Sequence, residues 1–160
     1  MRINTIELKV FEYSNSDELS DQDKNLLQCA REAGKNAYAP YSHFRIGSAV
    51  LLENGEIIRG NNQENAAYPS GLCAERVALF YASANYPFVG VKALAISALN
   101  IENIRTEIAK PCGACRQVIS EYEDLAGTPV RIILDGLNSI YVFEGIDNLL
   151  PMRFKKEDLK

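Results

Sequence analysis

The chain has 160 residues, 47% of them hydrophobic, and a formal net charge of −4. One domain of that size buries a core without disulfide staples, and no apolar run is long enough to span a bilayer. Lysines and arginines form no cluster, which argues against tracking a nucleic acid polymer and for a small, weakly charged substrate. Residues 1–13 alternate charged and apolar side chains, unlike a signal peptide, so the expectation is a soluble, cytoplasmic protein with no membrane partner.

In chain order, residues 1–19 read as an N-terminal extension, with a short strand within 6–13, and 20–160 as a single domain. Ser20 caps the first helix, with Asp21 and Asp23 favourable in its first turn. Leu26, Leu27, Ala30, Ala33 and Ala37 recur at helical spacing, and Pro40 ends the helix. A strand over 45–52, the turn signal Glu53-Asn54-Gly55 and a return strand over 56–60 make a hairpin. The polar stretch 61–71 leads to a helix from about Leu72 that carries Val77, Phe80 and Tyr81. Residues 93–98 form an apolar strand suited to a sheet centre. A loop over 100–110 precedes a helix that begins near Cys112 and carries Val118 and Ile119. Strands over 130–134 and 140–143, a short helix over 145–150 and a loose tail from Glu157 complete the chain. This order predicts a three-layer α/β/α fold around a mixed five-stranded sheet. Right-handed crossovers would put the starts of both later helices at one end of adjacent strands.

Four cysteines in a chain that reads as intracellular are metal ligands or catalytic groups rather than disulfides. Cys29, alone on a helix, is a small buried hydrophobe. The other three stand in Cys73-Ala74-Glu75-Arg76 and Pro111-Cys112-Gly113-Ala114-Cys115-Arg116, at two helix starts. A helix N-terminus favours the thiolate, the form that binds metal. Cys112 and Cys115, three apart, face one ion from a single turn. Three sulfurs leave one tetrahedral position open, the mark of a catalytic zinc site. Glu75, two residues past Cys73, faces that position without binding the metal. A ligand followed by x-Glu and then Pro-Cys-x-x-Cys is the general pattern of zinc deaminases, with the glutamate as acid and base. Three thiolates and one divalent zinc sum to −1, which Arg76 would offset. The alternative is a closed structural zinc site with His43, the only histidine, as fourth ligand. That alternative explains neither Glu75 nor Pro111.

On these motifs the chain resembles the small homotetrameric cytidine deaminases over about residues 28–158. The likeness also includes Tyr38-Ala39-Pro40-Tyr41-Ser42-His43-Phe44, Asn62-Gln63-Glu64-Asn65-Ala66-Ala67-Tyr68-Pro69 and Leu149-Leu150-Pro151. The wider superfamily often has His where this chain has Cys73, so Cys73 points to the small-nucleoside branch. The resemblance implies a cytidine deaminase-like fold, one zinc per chain, and hydrolysis of cytidine and 2′-deoxycytidine to uridine products and ammonia. It implies that Asn62 and Glu64 bind the ribose hydroxyls and that Ala66 offers its carbonyl to the exocyclic amine. Phe44 would pack on the pyrimidine, and Tyr68 would shape the pocket and reach across a subunit interface. Phe154 matches an aromatic that closes over the base in a neighbouring subunit of a homotetramer. Asn61 stands where many members have Cys, and Arg153 and Lys155 flank Phe154 where many relatives have small residues.

Several rivals stand beside this reading. Phe44, Tyr68 and Phe154 read more readily as core-packing aromatics when the motifs are ignored. A blasticidin-type deaminase, a zinc-stabilised binding module without turnover and a polynucleotide editor are the other functional classes. The set Asn62, Glu64 and Asn65 favours a plain ribose, Glu75 argues against a mere binding module, and the acidic balance argues against an editor.

Overall fold

The strand Arg45–Leu52 (β2) is buried on both faces over most of its length. Such a strand needs a layer on each side, and the chain supplies both. The computed structural model describes residues 1–159. The sheet is mixed and six-stranded, and its other strands are Phe11–Tyr13 (β1), Ile57–Asn61 (β3), Val91–Leu99 (β4), Arg131–Asp135 (β5) and Ile140–Glu144 (β6). They lie in the order β1-β6-β5-β4-β2-β3. The expectation of five strands is therefore corrected. The sixth is β1, which pairs antiparallel with β6 from Phe11↔Val142 to Tyr13↔Ile140. Leu19, just after it, is buried in the same core cluster as Leu26 and Leu27.

Alternation along the strands sorts the core into two layers. Ala49, Leu51, Ala93, Ala95 and Ile133 meet the helix Asp21–Gly34 (α1) through Leu26, Leu27, Cys29 and Ala30. Val50, Leu52, Leu94, Ile96, Ile132 and Leu134 meet the helices Ala74–Asn85 (α2) and Gly113–Ala126 (α3) through Ala78, Leu79 and Ile119. Ser20 caps α1, its hydroxyl accepting the Asp23 N–H at 3.2 Å. The helix stops at Gly34, short of Pro40. Beyond it the Tyr38 backbone pairs with Asn62 and Glu64, donating to the Asn62 carbonyl at 3.0 Å and accepting the Glu64 N–H at 2.8 Å. That tertiary pairing outcompetes one more helical turn.

α2 follows β3 and α3 follows β4, and these strands point the same way because each is antiparallel to β2. Both helix starts therefore lie at one end of the sheet. The two strands are not adjacent, as the sequence suggested, because β2 lies between them. The short helix expected over 145–150 is a single 3-10 turn at Ile146–Asn148. Lys156–Leu159 is another such turn, and Lys160 lies outside the described residues. Among the described residues no helix is long and apolar enough to cross a membrane.

Two glycines set how closely helix and sheet approach. A Cβ on Gly60 would sit 2.7 Å from the Ala74 carbonyl and 2.6 Å from the Ala78 nitrogen, so only glycine lets the start of α2 rest on β3. A Cβ on Gly47 would sit 1.9 Å from the Ala30 carbonyl, a backbone atom that cannot swing aside. Gly47→Ala is expected to destabilise the fold by about 3 kcal/mol, the upper end of ordinary overpacking costs. Chemical denaturation of the two proteins measures it, and equal midpoints and slopes would show that α1 is not seated as described.

Candidate active site

Cys73 and Cys112 occupy the N-cap positions of α2 and α3, and Cys115 lies in the first turn of α3. Neither cap uses a side-chain oxygen, so the first-turn N–H groups and the positive ends of both helix dipoles face the sulfurs. The Cys73 and Cys112 sulfurs are 4.0 Å apart, and Cys112 and Cys115 are 3.5 Å apart. All three ligand atoms lie within 4.8 Å of one another, and they form the one such cluster among the described residues. A tetrahedral zinc with bonds of about 2.3 Å requires sulfur separations of about 3.8 Å, so the trio fits that ion. His43 is not in the cluster. It lines a different cavity beside Tyr38 and Arg45, so a site closed by His43 has no support in the geometry.

The electrostatics suit a cation. The Cys73 thiol is lowered to about 5, chiefly by a hydrogen bond from the Cys115 thiol and further by Arg76 and Cys112. Cys115 is pushed up by its bond to Cys73 and by burial, since crowded sulfurs resist a second negative charge. A divalent ion among them reverses that penalty, and its binding releases protons. Arg76 Nη2 donates to the Cys73 sulfur at 3.7 Å, which holds a guanidinium beside the thiolates. Glu75, at 4% exposure, is nearly sealed on the first turn of α2. Burial raises its carboxyl above the usual range, and the Cys73 charge adds to the rise. A carboxyl poised nearer neutrality suits a group that must both take and give a proton.

Cys73, Cys112 and Glu75 open onto a cavity of about 320 Å³ whose walls include Phe44, Asn62 and Glu64. An adjoining lobe shares Asn62, Glu64 and Cys73 and continues to Tyr68 and Arg76. The Asn62 side chain fixes the neighbouring loop, donating to the Phe44 carbonyl at 3.0 Å and accepting the Ile46 N–H at 2.7 Å. Glu64 accepts the backbone N–H groups of Tyr41 at 2.9 Å and Ser42 at 3.3 Å, and also the Ser42 hydroxyl. The Ser42 bond, more than the others, holds its carboxyl below the usual range. Tyr68 is 79% exposed and meets Tyr41 edge to face, with ring centroids 6.4 Å apart. Ala66 is exposed and lines neither lobe. Phe154 also lies outside both lobes, with a largely exposed ring.

Some participants were not singled out from the sequence. Ser42 orients Glu64, and its place between Tyr41 and His43 in one motif was the available signal. Lys110 lines the cavity beside Cys112, with no sequence signal beyond its neighbour Pro111. Arg116 donates to the Pro111 carbonyl at 2.9 Å and to the Leu149 carbonyl at 2.6 Å, tying the ligand loop to the C-terminal segment.

The family model for the cytidine and deoxycytidylate deaminase zinc-binding region matches residues 20–126, more than half of the chain. The chain belongs to this family. Its curated relatives include a cytidine deaminase of Sporosarcina psychrophila, 38% identical over 85% of this chain and 93% of that protein. Another is the cytidine deaminase of Halalkalibacterium halodurans, 36% identical over 84% of this chain and 95% of that one. A blasticidin-S deaminase of Bacillus cereus is more distant, at 27% identity over 86% of this chain. Among solved structures, the cytidine deaminase of Burkholderia pseudomallei superposes with a TM-score of 0.70 at 36% identity, covering 81% of this chain and 97% of that one. The fold is thus cytidine deaminase-like.

Proposed function

We propose that this cleft hydrolyses cytidine and 2′-deoxycytidine to uridine and 2′-deoxyuridine with release of ammonia, a reaction of pyrimidine salvage. The protein is a cytidine deaminase, as its relatives at 36–38% identity over most of the chain are named. The observation that carries the reading is that two of the three clustered thiols, Cys73 and Cys112, and the buried Glu75 open on the same cavity as Phe44, Asn62 and Glu64.

Cys73, Cys112 and Cys115 would hold one zinc ion per chain. When bound, zinc lowers the pKa of water toward neutrality and so supplies a nucleophile. Glu75 takes a proton from the attacking water and delivers it to N3 of the base, then carries the remaining proton of the hydroxyl added at C4 to the departing amine, so that the C4–N bond breaks as the C4 carbonyl forms. One carboxyl can serve every transfer because it alternates between base and acid. Phe44 covers one face of the pyrimidine, and the Ala66 carbonyl accepts from the exocyclic amine. Asn62 and Glu64 address the ribose hydroxyls. Glu64, already oriented by Ser42 and Tyr41, loses little freedom on binding a diol. Arg76 balances the thiolate charge. Tyr68, far too exposed for a packing residue, reaches toward a neighbouring subunit in a homotetramer, as does Phe154. Residues 20–160 are the deaminase domain, and 1–19 are an extension anchored through β1. Four free cysteines suit a reducing, cytoplasmic setting.

A deaminase of a bulkier aminopyrimidine nucleoside is the second reading, favoured only by the more distant blasticidin-S relative. Substrate comparison separates sugar recognition from base recognition. Cytidine is expected to be turned over at least about 100-fold more efficiently than free cytosine, because remote binding energy orients the reacting base. Initial rates followed by ultraviolet absorbance decide it, and equal efficiencies would refute the ribose-clamp role of Asn62 and Glu64.

A further inference from the structure

The segment after β6 is fastened more firmly than a surface tail requires. Met152 takes a left-handed φ of 56°, which turns the chain. The following Arg153 side chain is only 6% exposed. Its Nε donates to Asp147 Oδ1 at 2.7 Å, and its Nη1 to Ser120 Oγ at 2.7 Å and to Asp124 Oδ1 at 2.8 Å. Its Nη2 lies 3.5 Å from Glu123 Oε1. Glu123 is buried in turn and accepts the N–H groups of Val130 at 2.8 Å and Ile146 at 2.9 Å. A planar fork with donors in fixed directions suits such convergent acceptors, which a single ammonium cannot satisfy together. Three of these partners lie on α3, the helix that begins with Cys112.

The neighbouring residue is Phe154. Its carbonyl accepts from Gln117 Nε2 at 3.0 Å, two residues past Cys115. Phe154 is 56% exposed and lines neither lobe of its own cleft. The Phe154 backbone is thus clamped on both sides while the ring projects into solvent. An aromatic ring costs little entropy to hold, but its exposure gains nothing within this chain.

We infer that Arg153 is a positioning residue that locks the C-terminal turn onto α3, so that Phe154 stands out and closes over the pyrimidine in a second copy's cleft. This rests on the proposed role of Phe154 in a neighbouring site and adds the device that sets its position. Arg153 touches no substrate; it acts only through Phe154.

The test is a double-mutant cycle on zinc-loaded protein of wild-type oligomeric mass, comparing Phe154→Ala, Arg153→Gln and the double variant with cytidine as substrate. Phe154→Ala is expected to raise KM about tenfold, the scale of losing one base–aromatic stack, with kcat within about twofold. Arg153→Gln is expected to raise KM similarly, and the double variant to be no worse than Phe154→Ala alone. Arg153→Lys, which keeps the charge but not the fork, should fall between wild type and Arg153→Gln. If Arg153→Gln does not fold, Arg153→Lys takes its place in the cycle. An unchanged KM in Phe154→Ala would overturn the reading of Phe154 itself. A raised KM in Phe154→Ala with wild-type KM in the Arg153 variant would overturn the positioning role alone. Effects that multiply in the double variant would assign Arg153 a role separate from Phe154.

Discussion

Glu75→Gln is expected to keep its fold and its metal while losing roughly 10²–10⁴-fold in kcat, the usual contribution of general acid–base catalysis. At about 1.4 kcal/mol per tenfold, that is roughly 3–5 kcal/mol of barrier. Glutamine preserves the volume at a site only 4% exposed, so no cavity opens on the first turn of α2. It removes the one buried carboxyl that lines the cavity beside Cys73 and Cys112. The other carboxyl in the cavity wall, Glu64, is committed to Tyr41 and Ser42 and is held below the usual range, so it is a poor substitute proton carrier. Metal content by atomic absorption, melting temperature and steady-state rates measured together decide the matter. Near wild-type turnover in Glu75→Gln would mean that another group moves the protons.

Cys112→Ala should lose both zinc and turnover. Removing one sulfur of three leaves two ligands on opposite helices, and the remaining pair cannot define a tetrahedral site. The cost should exceed the roughly 10–100-fold in metal affinity that loss of an outer hydrogen-bonding partner brings. Cys112 is exposed and caps α3 without a side-chain bond, so alanine disturbs the helix little. The defect should therefore appear in metal affinity before it appears in melting temperature of the metal-free protein. A variant with full zinc and full activity would remove Cys112 from the ligand set.

The thiol cluster and the glutamate beside it were readable from the sequence because much of their geometry is local. Cys-x-x-Cys at a helix start places two sulfurs on one turn, and Cys73-x-Glu75 places a carboxyl beside a third. The main strands were legible for a similar reason, since β2 and β4 are apolar runs between turn signals. What stayed hidden depends on distant partners. β1 is three residues long and pairs with β6, nearly 130 positions away, so no local pattern separates its pairing from an unpaired extension. The end of α1 is set by the Tyr38 backbone reaching Asn62 and Glu64, not by Pro40. Arg153 stood out in the sequence only as a departure from the small residues of many relatives, and only the fold brings Ser120, Asp124 and Asp147 around it. The insertion of β2 between β3 and β4 is likewise a property of the assembled sheet.

Zinc titration of metal-stripped protein tests the central claim most directly, with bound metal and cytidine turnover read on the same samples. Turnover should rise in proportion to bound zinc and level off at about one ion per chain, each mole of cytidine lost yielding one of uridine and one of ammonia. Full turnover in the stripped protein, or one bound zinc per chain with no conversion of cytidine, would contradict the account.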